Sequence, residues 1–458
     1  MNKTSLPNRV SVLGMGRTGM AVSIYLAKRG VNVYLSDIRK DEFSKELDKL
    51  SLYPGIKITL GEHNIEELKR SDLIVISPGI PFDLPFIKEL CDDGFPVISE
   101  IELCYLLTDQ PFIAITGTKG KSTTTALLYH ILKTANVPAV LGGNIGTTLI
   151  SVLPDTFEKT YIVCEVSSFQ LEGCIRFSPF IGIFLNFFPD HLDRHNDMET
   201  YFALKSKLFL NQTSEQKALL NWGDKKIRGL SSLLRSSVFY FNFPHTLPYK
   251  EGVILKDDTF YYRFNGKDIA ITDTSKVPLI GQHNWENIMA SVEAALLLGV
   301  DIEVIQNAIS SFLPLRHRLE FVAEINSVKY YNDSKSTTPE SVKAAVRSFS
   351  KSVILIAGGR NKLKDISNFF TSIESRIKAL FLIGELQEEL YPLAKRAGLS
   401  IVKKCVTLKE AVEDATQLAE KGDIILFSPG GTSFDMFKNA EERGEAFLEL
   451  VMSLKDVK

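Results

Sequence analysis

The stretch ITGTKGKSTTT, Ile115 to Thr125, follows the apolar run FIAI and opens a helical period. A standard nucleotide-binding loop, GxxxxGK[ST], would set its first glycine at position 115 if Gly120, Lys121 and Ser122 form its second half. Ile115 stands there instead, and the extra glycine is Gly117. The loop is therefore a shortened variant, and its physical requirements survive. A strand runs into Gly117 and Gly120, and the following helix offers N–H groups and its dipole to phosphates. Lys121 reaches the outer phosphates, and Ser122 brings a hydroxyl to Mg²⁺. Thr118, Lys119 and Thr123 complete the expected nucleoside triphosphate contacts. The competing reading is a surface turn rich in Gly, Lys and Thr.

Upstream, from Arg9, short apolar runs alternate with helical periods: VSVLG, MAVSIYLAKRG, VNVYLSD, DLIVISPG and FPVISE. This is βαβ grammar with a parallel sheet. Asp109 and Pro111 break the helix suggested by IELCYLL, which puts a boundary there. Downstream, YIVCEVS and IGIFLNF read as strands, and GVILKDDTFYYRFNGKDIAIT as hairpins. After Pro314, strands at SVILIAGG, ALFLIG and DIILFSPGG alternate with helices. The expected fold is α/β in three domains. Residues 1–108 form a Rossmann-like domain and 109–314 a central P-loop domain with a small added β part; 315–458 form a second Rossmann-like domain.

Three domains suit a chain of 458 residues at about 150 per domain. A net charge of -2 without a long basic block excludes non-specific nucleic-acid binding by a positive field, so an anionic ligand must be held locally. Five scattered cysteines with no CxxC pair suit reduced thiols, and with a start that leaves no room for a signal peptide they predict a cytoplasmic protein. Its apolar runs are too short to span a bilayer.

Further motifs flank the loop. Gly14, Gly16 and Gly19 form a GxGxxG between strand and helix, with Asp37 ending the next strand, a dinucleotide fingerprint whose default ligand is NAD and whose alternative is an empty tight turn. Glu165, at a strand end, is a candidate second metal carboxylate beside Ser122, or else a solvated rim charge. PDHLDRH carries His191 and His195 at a spacing that zinc would accept, but no general-base glutamate accompanies them. An oxygen-rich Mg²⁺ site with one imidazole suits a phosphate loop better. Lys205 and Lys207 lie on an amphipathic helix, where a solvated face is the ordinary outcome. Asn284 and Asn287 are one turn apart at a helix start, placed to offer amides to a base or ribose, or to act as capping or core amides. RHRLE, YYNDSKSTTPE and FSPGGTSFDMFKN supply polar clusters at strand ends, the ligand edge of such sheets.

In this order, these elements resemble the Mur ligases, the ATP-dependent amino-acid ligases of cytoplasmic peptidoglycan synthesis, over nearly the whole chain. TGTKGKST, DHLDRH, YFALKSKLF, GQHNWEN and HRLE carry the likeness, which folylpolyglutamate synthases share more loosely. SSFQLE, NDSKSTT, SPGI and GGNIG narrow it to the branch that adds D-glutamate, and the DNPR signature of relatives that add diaminopimelate is missing.

The resemblance implies a ligase that uses ATP and Mg²⁺ to join D-glutamate to UDP-N-acetylmuramoyl-L-alanine through an acyl phosphate, with a monomer as the expected state. It turns the first glycine motif from NAD to the uridine diphosphate of the substrate, leaving a dinucleotide-dependent oxidoreductase as the remote alternative. Arg17, Thr18, Asp37, Arg39 and Gly79 are then implied in the uridine pocket, with Asn144, Ser167 and Gln170 at the muramoyl-alanine end. Asn284, Asn287, Arg318 and Asp333 are implied nucleotide contacts; Lys335, Thr337, Lys362, Ser433 and Phe434 are implied for D-glutamate. Lys121, Glu165, His191 and Lys205 form the implied catalytic set, and Ser122, Glu165, His191 and a carbamylated Lys205 the metal set. Two positions depart from the pattern: Ala440 stands where relatives often carry an aromatic, and Thr338 where they often carry asparagine.

Overall fold

A computed structural model describes residues 6–40, 43–156, 158–190, 192–195, 197–247, 250–362 and 365–455. These form two compact units: residues 1–276 with 286–311, and 277–285 with 312–458.

Among the described residues, the first unit holds three sheets. β1 (Arg9–Leu13), β2 (Asn32–Asp37), β3 (Ile56–Leu60), β4 (Leu73–Ile76) and β5 (Val97–Ser99) make a parallel sheet ordered β3-β2-β1-β4-β5. The second is also parallel and holds β6 (Phe112–Thr116), β7 (Ala139–Gly143), β8 (Tyr161–Glu165), β9 (Ile181–Phe184), β10 (Lys217–Asn221) and β11 (Ser237–Phe241). Its order is β11-β10-β9-β6-β8-β7. Every residue of β6 is buried, which is why FIAIT reads as a continuous apolar run: helices cover both faces of a parallel sheet.

The predicted hairpins are β12 (Gly252–Lys256), β13 (Thr259–Phe264) and β14 (Lys267–Asp273), an antiparallel sheet. Both turns have two residues with positive φ, Asp257–Asp258 and Asn265–Gly266, the geometry that matches strand twist and favours such residues.

The helix Glu100–Leu107 joins the first two sheets, whose apolar residues run into one core. Tyr105, Phe112 and Phe177 meet edge to face at 5.5–5.8 Å. Glu100 accepts the Ile150 N–H at 3.0 Å, and Glu102 accepts those of Ile175, Arg176 and Phe177 at 2.8–3.1 Å. The helix ends where expected, with Thr108 as its cap, yet the two sheets beside it share their core.

The second unit is built on β15 (Glu320–Ile325), β16 (Val328–Asn332), β17 (Val353–Gly358), β18 (Ile377–Ile383), β19 (Val402–Lys404) and β20 (Ile424–Gly430), ordered β15-β16-β20-β17-β18-β19. Among the described residues, β15–β16 is the one antiparallel strand pair of this sheet. Apolar clusters pack on its two faces. The sequence pattern found β17, β18 and β20, whose residues are almost all buried; β15 and β19 are partly exposed and carry charges, so their runs are interrupted.

Candidate active site

The phosphate loop leaves β6 at Thr116 and enters the helix Lys121–Thr134 through Gly120. Gly120 has φ +82°, and a Cβ there would lie 2.1 Å from the Asn287 side-chain oxygen; backbone strain and crowding both require glycine. The first bond of the helix runs from the Thr124 N–H to the Gly120 carbonyl at 3.0 Å. The amides of Lys121, Ser122 and Thr123 therefore lie ahead of it, at the positive end of the helix dipole.

Lys121 Nζ donates to the carbonyls of Gly117 at 2.9 Å and Thr118 at 3.0 Å, which folds it back over the loop. Ser122 Oγ donates to Glu165 Oε2 at 2.7 Å, and Asn144 Nδ2 donates to Glu165 Oε1 at 2.8 Å. The β6–β8 pairing brings these oxygens together, because it aligns Ile115 with Glu165. Hydroxyl and carboxylate are hard oxygen donors, a set that fits Mg²⁺.

Lys205, which the resemblance implied in the metal set, lies against the same loop. It is 1% exposed, not on a solvated face, and its Nζ donates to the Gly117 carbonyl at 2.8 Å while lying 4.8 Å from the Tyr201 ring centroid. Burial, followed by the Lys121 charge, pushes its amine well below the ordinary lysine range, against the opposing pull of Asp190 and Glu165. Lys207 instead reaches the Glu172 carbonyl at 2.8 Å. His191 lies outside the described residues. His195 is buried, its ring centroid 5.0 Å from that of Phe169 and 5.1 Å from that of Tyr201, and its Nε2 lies 2.9 Å from Ser168 Oγ.

Asn186, which sequence reasoning did not select, and Asp190, the first acid of the DHLDRH block, brace the loop. Asn186 accepts the Lys119 N–H at 2.9 Å through its side chain and the Thr118 N–H at 3.0 Å through its carbonyl. Asp190 pairs with Lys119 Nζ at 3.1 Å. A lone asparagine ending the apolar run IGIFLN was the available signal.

At the carboxyl edge of the first sheet, Asp37 Oδ2 accepts the Met15 N–H at 2.8 Å, and its Oδ1 accepts the Arg39 N–H and Nε at 2.9 and 3.0 Å. Although burial opposes it, the Arg39 bonds and the Met15 amide hold Asp37 down at about 2. Arg17 Nη1 donates to the Gly146 carbonyl at 2.9 Å. Arg17 and Gly79 are exposed and Thr18 half-buried, each beyond the end of β1 or β4. Ser167 and Gln170 hold one another as a capping box on the helix Ser168–Glu172.

Asn287 is 2% exposed, and its Oδ1 accepts from Thr124 Oγ1 at 3.2 Å. In the second unit, Asn284 Nδ2 donates to the Ile280 carbonyl at 2.7 Å. Both asparagines thus make the core bonds that were one of their two expected uses.

Elsewhere in the second unit, Asp333 is buried and accepts from Ser336, Ser428 and the Leu319 N–H. Burial lifts it to about 6 despite those bonds. Arg318 is exposed, and its charge acts on Asp333. Lys335 pairs with Glu441 at 2.5 Å. Lys362 and Phe434 are exposed, Thr337 half-buried and Ser433 buried. Of the two departures from pattern, Thr338 caps the helix Pro339–Arg347 through its side chain; Ala440 contributes only its carbonyl, which accepts from Ser334 Oγ at 2.8 Å as that of any residue would.

Comparison with known proteins gives one answer along the whole chain. Models described as Mur ligase MurD-like N-terminal domain, Mur ligase middle domain and Mur ligase glutamate ligase domain match residues 8–99, 115–295 and 317–431. The chain is 38% identical to a UDP-N-acetylmuramoylalanine--D-glutamate ligase of Pelotomaculum thermopropionicum, over 99% of this chain and 100% of the relative. It is 39% identical to the ligase of the same name from Alkaliphilus oremlandii, over 97% and 98%. In fold it is similar to a MurF ligase from Thermotoga maritima in complex with ADP, with a TM-score of 0.63 and 16% identity over 93% of this chain and 96% of that one. It is likewise similar to the UDP-N-acetylmuramate-alanine ligase MurC of the same organism, with a TM-score of 0.59 and 20% identity over 97% and 99%.

Proposed function

The chain belongs to the Mur ligase family, and from that premise we propose that it is the ATP-dependent ligase joining D-glutamate to UDP-N-acetylmuramoyl-L-alanine in cytoplasmic peptidoglycan precursor synthesis. The observation that carries the reading is its full-length similarity to D-glutamate ligases, in a chain whose phosphate loop carries Lys121 and the Ser122–Glu165 pair. Among the described residues no helix is long and apolar enough to cross a membrane. Domain boundaries near 108 and 314, and a monomer, are part of the proposal.

In the proposed chemistry, the helix amides and Lys121 hold the γ-phosphate of ATP while an alanine carboxylate oxygen attacks it, giving ADP and an acyl phosphate. The D-glutamate amine then attacks the acyl carbon, the nitrogen gives up a proton as the amide closes, and the same oxygen leaves with inorganic phosphate. When bound, Mg²⁺ would neutralise charge on the transferring phosphates. Ser122, Glu165, His191 and a carbamate on Lys205 are its proposed holders. A buried amine whose surroundings disfavour its charged form is suited to add CO2: the nitrogen lone pair forms the N–C bond and a proton is released. An amine whose charged form is disfavoured beside Lys121 thereby becomes a carboxylate.

Arg17, Thr18, Asp37, Arg39 and Gly79 are proposed for the uridine diphosphate end, and Asn144, Ser167 and Gln170 for the muramoyl-alanine end. Asn284, Asn287, Arg318 and Asp333 are proposed for the nucleotide, with Gly117 to Thr123. Lys335, Thr337 and Lys362 are proposed for D-glutamate with Ser433 and Phe434, the two lysines matching its carboxylates. Incubation with ATP, Mg²⁺, UDP-N-acetylmuramoyl-L-alanine and D-glutamate is expected to release phosphate only when both substrates are present. Release indifferent to either one, or stronger with another amino acid, would overturn the assignment.

A further inference from the structure

The residues proposed for D-glutamate lie on three separate segments, following β16, β17 and β20. A side chain from the helix Ala440–Ser453 reaches all three. Arg443 is 1% exposed and among the largest fully buried side chains. Its Nη2 donates to the Ser334 carbonyl at 2.8 Å and its Nε to Ser334 Oγ at 3.1 Å. Its Nη1 donates to the Gly431 carbonyl at 3.0 Å. On the middle segment, a Cβ at Gly359 would lie 2.9 Å from Arg443 Nη1, so the backbone there passes directly against the guanidinium. The segments also hold one another: Gly430 N–H bonds the Ser336 carbonyl at 3.0 Å, and Arg360 and Thr432 exchange backbone bonds at 2.8 and 2.9 Å.

A buried cation is costly unless its donors are met. Here they meet neutral oxygens, and burial lowers the guanidinium only to about 10, so it stays charged at neutral pH. Its planar fork addresses acceptors on two segments at fixed angles, which a lysine ammonium on a flexible stem does not reproduce. Being buried, it cannot itself touch a solvent-borne substrate.

We propose that Arg443 is the positioning residue of the amino-acid site, fixing the spacing of Lys335 and Thr337, Lys362, and Ser433 and Phe434. This rests on the D-glutamate reading given above. The test is Arg443→Lys, with KM measured separately for D-glutamate, ATP and the UDP-linked substrate.

The KM for D-glutamate is expected to rise about tenfold, and the other two to change by less than about twofold. An unchanged D-glutamate KM, or an equal rise in all three, overturns the proposal. If circular dichroism shows that Arg443→Lys does not fold, Ser334→Ala is read in its place. That variant keeps the guanidinium and removes one acceptor, and the same KM outcomes decide. If wild-type protein releases phosphate with a different amino acid and not with D-glutamate, the substrate reading fails alone, and the KM comparison is made with that amino acid.

Discussion

Lys205 sits where a cation has little support: buried, beside Lys121, and bonded to a carbonyl that Lys121 also uses. That surplus of positive charge is what a carbamate would relieve, and it gives the residue a chemical reason to be a lysine. Lys205→Ala is expected to lower turnover by at least about a hundredfold, as removal of a metal ligand does. Wild-type enzyme labelled with 13C-bicarbonate should show a carbamate carbon resonance that the variant lacks. A variant with unchanged turnover would remove the carbamate from the proposal. The spacing of Lys205 on its helix was legible from the sequence, but its burial was not, because the cover comes from elements distant in the chain. Glu165 was legible as a strand end, but its burial and its place beside Ser122 come from the strand order, which only the fold decides.

The helix Glu100–Leu107 shows what an element adds. By sequence it closes a domain, whereas in the structure its acids grip loops of the neighbouring sheet. Burial raises Glu100 from 4.5 to about 7, against the N–H groups of Ile150 and Leu149 and the charge of Arg17. The folded state therefore binds this proton more tightly than the unfolded chain does. Stability from this group is fully present below pH 4.5, falls as pH rises to about 7, and is level above. Glu100→Gln removes that loss, which is on the order of 3 kcal/mol for a shift of this size. The variant should melt several degrees above wild type at pH 8 and near it at pH 5, followed by circular dichroism. A difference independent of pH would assign the effect to packing instead.

For the molecule as a whole, the proposed reaction predicts the fate of one atom. With 18O in the alanine carboxylate of the UDP-linked substrate, one label per turnover should appear in inorganic phosphate, because the oxygen that attacks phosphorus leaves with it. Phosphate free of label, read by mass spectrometry, would exclude the acyl phosphate.

By itself, the sequence determined the strand-loop-helix that holds phosphate, the parallel α/β sheets and the family, since these rest on local periodicity and on residue types at fixed short spacing. Only the tertiary structure decided that Lys205 is buried, that Asn186 and Asp190 brace the loop, and that Arg443 gathers three segments. Each of these depends on contacts between residues far apart in the chain, where burial and charge are set by neighbours that no local pattern records.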